Sequence, residues 1–158
     1  MRTIKFRGKT CKDDIWVYGQ YLESNISWYN RKPHKEWIVS STISNGGFIA
    51  MIQRYPVIDE TIGQYTGLQD KNGVEIYEGD IVRVSCVPMK YIGTNAIPYA
   101  VDCVCVFFQG SFLYKRISPF DKQKLSRNWT YKPMNRLDIK EVEVIGNIHD
   151  NPELLKGE

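Results

Sequence analysis

Long apolar runs are missing from this 158-residue chain. None approaches the roughly 18 residues that a membrane-spanning helix needs. The opening residues "MRTIKFRGKTCKDDIW" are charged, with no apolar stretch of signal-peptide length. The expected setting is therefore a reducing cytoplasm, with Cys11, Cys86, Cys103 and Cys105 as free thiols. Histidine is scarce. His34 and His149 are the only two, and neither sits in a motif that pairs it with a nucleophile or a metal. No glycine-rich stretch leads from a strand into a helix, which excludes a phosphate loop. Long segments with the helical period are absent as well, which excludes a helix bundle.

What the chain does have is two-residue alternation and aromatic side chains. Ten Tyr, six Phe and four Trp make up 13% of the residues, a load that packs well on pleated sheets. "TIKFRGK" alternates Ile4 and Phe6 with Lys5 and Arg7, and "IWVYGQYLE" follows as its hairpin partner. "ESNISWYNRKPHKE", residues 23–36, is polar and reads as a loop. "WIVSSTI" and "FIAMIQRY" flank an Asn45-Gly46 turn. "GQYTGLQ" and "VEIYE" flank a second turn, in which Asn72-Gly73 supplies the positive φ that a tight hairpin demands. Gly79 and Asp80 then bend the chain into "DIVRVSCV". "AVDCVCVFFQGSFLYKRI" is apolar on both faces in its first half, so it reads as a central strand covered on both sides, turning at Gln109-Gly110-Ser111. Residues 118–138 are polar and read as loop, "KEVEVIGNI" as a closing strand, and "NPELL" as one helical turn with Asn151 as cap. About nine short strands joined by regular turns predict a mainly β protein, a barrel or sandwich. The chain is one domain by length, with possible subdomains 1–60, built of β hairpins, and 61–158, a barrel.

Several of these blocks also match a known family. "TIGQYTGLQDKNGVEIYEGDIV", preceded by "IKFRG" and "WVYG" and followed by "EVIGNIHDNPELL", resembles the YopX family of phage and prophage proteins in order and spacing along most of the chain. The regions 23–36, 86–100 and 113–140 depart from the pattern. The resemblance implies a β-rich fold with a barrel-like C-terminal part, and expression inside a bacterial cell. It brings no catalytic residues to carry over. A Gly-Asp bend leading into a Val-rich strand also occurs in small SH3-like barrels, an analogy of fold only.

The candidate sites follow from residue chemistry. Asp70, Glu78 and Asp80 are close in sequence and would suit a divalent cation or an acid/base pair if their oxygens converged. Turn chemistry accounts for them as well, because Asp in turns bonds the local backbone. Asn72, Gly73, Gly79 and Asp80 are therefore read as structural turn positions. Cys103 and Cys105 have one residue between them, whereas zinc motifs have two or more, so neither a metal nor a cofactor is expected. The basic segment 113–140 carries the main hint. Eight Lys and Arg against two Asp give it a charge of +6, while the whole chain is +3, so the rest sums to −3. Lys115, Arg116, Lys122, Lys124, Arg127, Lys132 and Arg136, with Trp129 and Tyr131 interleaved, are the residue types that attract phosphate and stack on bases. The same residues also read as a solvated insertion with its aromatics packed inward. Three functions stay open: a module that binds a protein partner or itself, a nucleic-acid binder using 113–140, and an enzyme, for which no triad or metal set is visible. No membrane association is expected.

Overall fold

The structure is a computed structural model, and it describes residues 3–29, 32–43, 49–86, 99–117, 131–134 and 142–156. The chain divides into two compact units, 1–65 and 66–158. The fold is mainly β, with eleven strands among the described residues and two short 3₁₀ turns, Asp59–Thr61 and Pro152–Lys156. No helix among those residues is long and apolar enough to cross a membrane.

In the first unit, β1 (Phe6–Lys9), β2 (Trp16–Tyr29), β3 (Lys32–Ile43) and β4 (Ile49–Pro56) form an antiparallel meander. The start of β5 (Gly63–Gln69) pairs with the other side of β1. Ile38 and Val57 are fully buried. Gly19 lets β3 come close, since a Cβ there would overlap the Val39 carbonyl. The Arg7 guanidinium lies 4.6 Å from the Trp16 ring centroid, a cation–π contact. The expected loop at 23–36 is largely strand. β2 and β3 continue as a ribbon in which Ser27 faces His34 and Trp28 faces Pro33. Polarity marked that segment as solvated, but a ladder satisfies the backbone whatever the side chains are. Pro33 is tolerated because β4 pairs with Trp37–Ile43, so among the described residues one side of β3 is an edge at Pro33. Asn45 and Gly46 lie outside the described residues.

In the second unit, the later residues of β5 lie beside β6 (Glu75–Tyr77). A five-stranded antiparallel sheet follows: β7 (Asp80–Cys86), β8 (Tyr99–Phe108), β9 (Ser111–Arg116), β10 (Tyr131–Pro133) and β11 (Val142–Asn147), in the order β10-β9-β8-β7-β11. One face of this sheet is the core. Val82 and Val84 of β7, Val101, Cys103 and Cys105 of β8, Tyr114 of β9 and Val142 of β11 are all buried there with Ile76. At about 25 cal/mol per Å² of apolar area, this cluster is the main source of the unit's stability.

Two expectations about single strands are corrected in this unit. β8 is central, between β7 and β9, but its second face is only half-covered: Val104 and Val106 are half-buried and Phe108 is exposed. The apolar alternation of β8 reported hydrophobicity on both faces, not the presence of a layer over each. Residues 131–133, expected in a loop, form β10. Pro133 fits because the strand lies at the sheet edge, where a missing N–H is harmless. The expected C-terminal turn is present, with Pro152 at its first position and the Asn151 carbonyl accepting the Leu154 N–H. The Asn151 Oδ1 accepts the Asn147 N–H. Among the described residues the sheet of the second unit is open, with β10 and β11 at its edges, so it does not close into the expected barrel.

Candidate functional site

The three acids are built into turns. Asp70 Oδ1 accepts the N–H groups of Asn72 (2.7 Å) and Val74 (2.9 Å), and Oδ2 accepts the Val144 N–H (3.1 Å). The Lys71 N–H donates to the Val142 carbonyl at 3.0 Å, and Lys71 Nζ pairs with Glu143 at 2.7 Å. The β5–β6 turn thus covers the outer edge of β11, which would otherwise offer unpaired backbone groups to another strand. Burial alone would push the Asp70 carboxyl up, but the N–H donors of Val144, Val74 and Asn72 outweigh it and hold the carboxyl below its ordinary range. Gly73 closes the turn at φ +82°, a conformation open to glycine.

Asp80 is buried, and its Oδ2 accepts the Tyr77 N–H at 2.7 Å across the bend at Gly79, where φ is +83°. Glu78 accepts the Phe107 N–H at 3.2 Å. Each acid therefore holds backbone donors. The described residues contain no group of three or more His, Cys, Asp or Glu placed to hold a metal ion. Cys103 and Cys105 are buried in the core, where cysteine acts as a small apolar side chain. The exposed Cys11 has its thiol pushed up, first by partial burial and then by the charge of Asp59, which makes it a poorer nucleophile. The His149 N–H is held by Asn147 Oδ1 at 3.0 Å within the C-terminal turn.

The basic segment is placed in part. Lys122, Lys124, Arg127, Trp129 and Arg136 lie outside the described residues. Lys115, Arg116, Tyr131 and Lys132 are on β9 and β10. Tyr131 stands opposite Lys115, and Lys115 stands opposite Val104 of β8, so strand alternation puts these three on the second face of the sheet. Lys132, opposite Tyr114, falls on the other face. Phe108 joins the second face, stacked on Tyr131 with ring centroids 5.5 Å apart and planes 12° from parallel. Both rings stay nearly half exposed, at 47% and 43%.

Beside this stack is a cleft of about 430 Å³, lined by Val104, Val106, Lys115, Arg116, Ile117, Ile148 and Leu155. The β8–β9 hairpin forms its floor, and the C-terminal turn supplies Ile148 and Leu155. That turn is fixed by hydrogen bonds from the Ile148 N–H to the Gly79 carbonyl and from the Leu154 N–H to the Asn151 carbonyl. It also needs Gly146, where a Cβ would overlap the Asn151 amide. Sequence reasoning found the cations and Tyr131 but missed the apolar half of the site. Val104, Val106 and Phe108 were legible as one face of a strand; Ile148 and Leu155 come from more than 30 residues away, and no local pattern announces them.

Comparison with known proteins adds the family. The family model described as YopX protein matches residues 5–156. The chain belongs to the YopX family. Among solved structures, this YopX chain is similar to the crystal structure of protein EF1440 from Enterococcus faecalis, at 25% identity and a TM-score of 0.45, over 98% of this chain and 99% of that chain. No curated protein matches it. The YopX match includes the turn acids, the β8–β9 hairpin and the C-terminal turn that walls the cleft.

Proposed function

We propose that this YopX-family chain is a non-enzymatic binding module of a phage or prophage, acting in the cytoplasm of the bacterial host. It holds a protein partner on the second face of its C-terminal sheet. One observation carries this reading: the cleft of about 430 Å³ with an apolar floor, with Lys115 and an exposed aromatic stack on the same face. Interface cores are rich in aromatic side chains, and this face presents two of them in the Phe108–Tyr131 stack. A second copy of the chain is one form such a partner can take.

The test compares the wild type with Phe108→Ser and Leu155→Asp, both at exposed positions. A bacterial protein retained by the wild type and then rebound in purified form should lose affinity about tenfold in each variant, the range of an interface anchor. A purified partner that binds all three equally rejects this face. Light scattering identifies self-association by mass.

The nucleic-acid reading keeps one specific support, the placement of Lys115 opposite Tyr131, on the face that carries the Phe108–Tyr131 stack. It would draw on Lys122, Lys124, Arg127, Trp129, Lys132 and Arg136 as well. Binding of single-stranded DNA that weakens steeply with salt selects it.

A further inference from the structure

We infer that Asn72 is a latent site of spontaneous deamidation, held closed by the hydrogen bonds of its turn to Asp70, and that its conversion releases the edge of β11. Asn72 is exposed, and Gly73 follows it at φ +82° with nothing within 4 Å of the place a Cβ would take. The side of Gly73 where a side chain would stand is thus open to water and base. The chemistry is that of any Asn-Gly peptide. Once base removes its proton, the Gly73 nitrogen forms a bond to Asn72 Cγ, and the side-chain amide leaves as ammonia. Water then opens the cyclic imide at one carbonyl or the other, giving aspartate or isoaspartate. One water is consumed and one ammonia released, so no oxidant or cofactor is needed.

Asp70 holds the site closed. The Gly73 N–H donates to the Asp70 carbonyl at 3.0 Å. The N–H groups of Asn72 and Val74, on either side of Gly73, both donate to Asp70 Oδ1, at 2.7 and 2.9 Å. Asn72 Cγ and the Gly73 nitrogen meet only by rotation about bonds of Asn72, and this network resists that rotation. The Asn72 side-chain amide, which is the leaving group, also donates to the Asp70 carboxylate. A carboxylate this close further disfavours the negative charge that the attack requires on the Gly73 nitrogen.

Conversion undoes what the turn does. The Val144 N–H donates to Asp70 Oδ2 at 3.1 Å, and the Lys71 N–H donates to the Val142 carbonyl at 3.0 Å. An aspartate at position 72 sets a second carboxylate where Asp70 had an amide donor. An isoaspartate adds a backbone carbon to a turn that the Asp70 N–H closes on the Val74 carbonyl at 2.7 Å. Either product loosens Asp70 from Val144 and leaves β11 open to another strand.

The experiment is peptide mapping by mass spectrometry of the full chain during incubation at mildly alkaline pH. Backbone fragmentation separates aspartate from isoaspartate and resolves Asn72 from Asn45, the other Asn followed by Gly. A free peptide of residues 67–77 should convert at Asn72 at least about tenfold faster than the wild-type protein, and Asp70→Ala should recover most of that difference, because a hydrogen-bond network that must open first slows the step by its own equilibrium constant. Asp70→Asn, which keeps an acceptor but loses the charge, should fall between the two proteins and serves if the alanine variant does not fold. Val84→Ala weakens the buried core and leaves the turn intact, and it should stay near the wild-type rate. A wild type as fast as the free peptide, or Asp70 variants no faster than the wild type, overturns the guarding role. Val84→Ala converting as fast as Asp70→Ala assigns the reaction to global unfolding and overturns it too. Asn72→Asp reads the consequence directly: the Val144 amide should exchange with deuterium several-fold faster than in the wild type. Unchanged protection of Val144 overturns the release of β11.

Discussion

Asp70 is the residue whose chemistry decides most locally. Its carboxylate takes N–H groups from its own turn and from Val144, 74 positions along the chain. It therefore both shapes a hairpin and secures the edge of β11. Asp70→Ala leaves three backbone donors without this acceptor. The expected loss is about 2–3 kcal/mol, since bonds to a charged group are the stronger ones and buried orphans are penalised. Urea unfolding at neutral pH measures it. The same carboxylate makes stability depend on pH. Its folded-state pKa is lowered, so between the folded and unfolded values the unfolded chain holds more protons, and stability rises with pH there. The contribution is complete above about pH 4, the ordinary carboxylate range, and is lost as pH falls through the lower folded value. Asp70→Asn, which has no charge to lose, should show a flatter acid limb than the wild type. An identical slope for the two would contradict the assignment.

At the scale of elements, the β8–β9 hairpin sets the geometry of the candidate site. Phe108 pairs with Ser111, so the loop is two residues long, Gln109 at φ +50° and Gly110 at φ +79°. Two positive φ values mark the turn whose twist matches paired strands. Glycine occupies one position without strain, whereas glutamine at the other pays the steric penalty of an L-residue in the left-handed region, roughly 1–2 kcal/mol. Gln109→Gly should stabilise the protein by about 0.5–1 kcal/mol, because glycine's extra backbone entropy takes back part of the relief. Gln109→Asn should act in the same direction. Denaturant midpoints should move up with the slope unchanged. The strand boundaries carry a related lesson. The β2–β3 ribbon and β10 are polar and contain prolines, and their strand character comes from a partner's register, which polarity does not encode.

On the scale of the whole molecule, net charge says little and its placement says more. Segment 113–140 carries +6 in a chain of +3, and the structure puts Lys115 and Lys132 of that segment on paired strands. Retention on a heparin column should depend on that segment. Lys115→Glu/Lys132→Glu and Lys12→Glu/Lys156→Glu have the same net charge, and the first pair should elute at distinctly lower salt. Equal elution would place the attraction elsewhere. Much of the fold was legible without coordinates: alternation in "DIVRV" and "AVDCVCVFF", and Asn72-Gly73 and Gly79-Asp80 as turns, are short-range features, and short-range sterics decide them. The YopX resemblance was carried by those same blocks. Tertiary structure alone decided that Asp70 reaches Val144, that one face of β8 stays half open, and that Ile148 and Leu155 wall a cleft beside Lys115. These depend on which distant segments meet, and no local pattern of residues records that meeting.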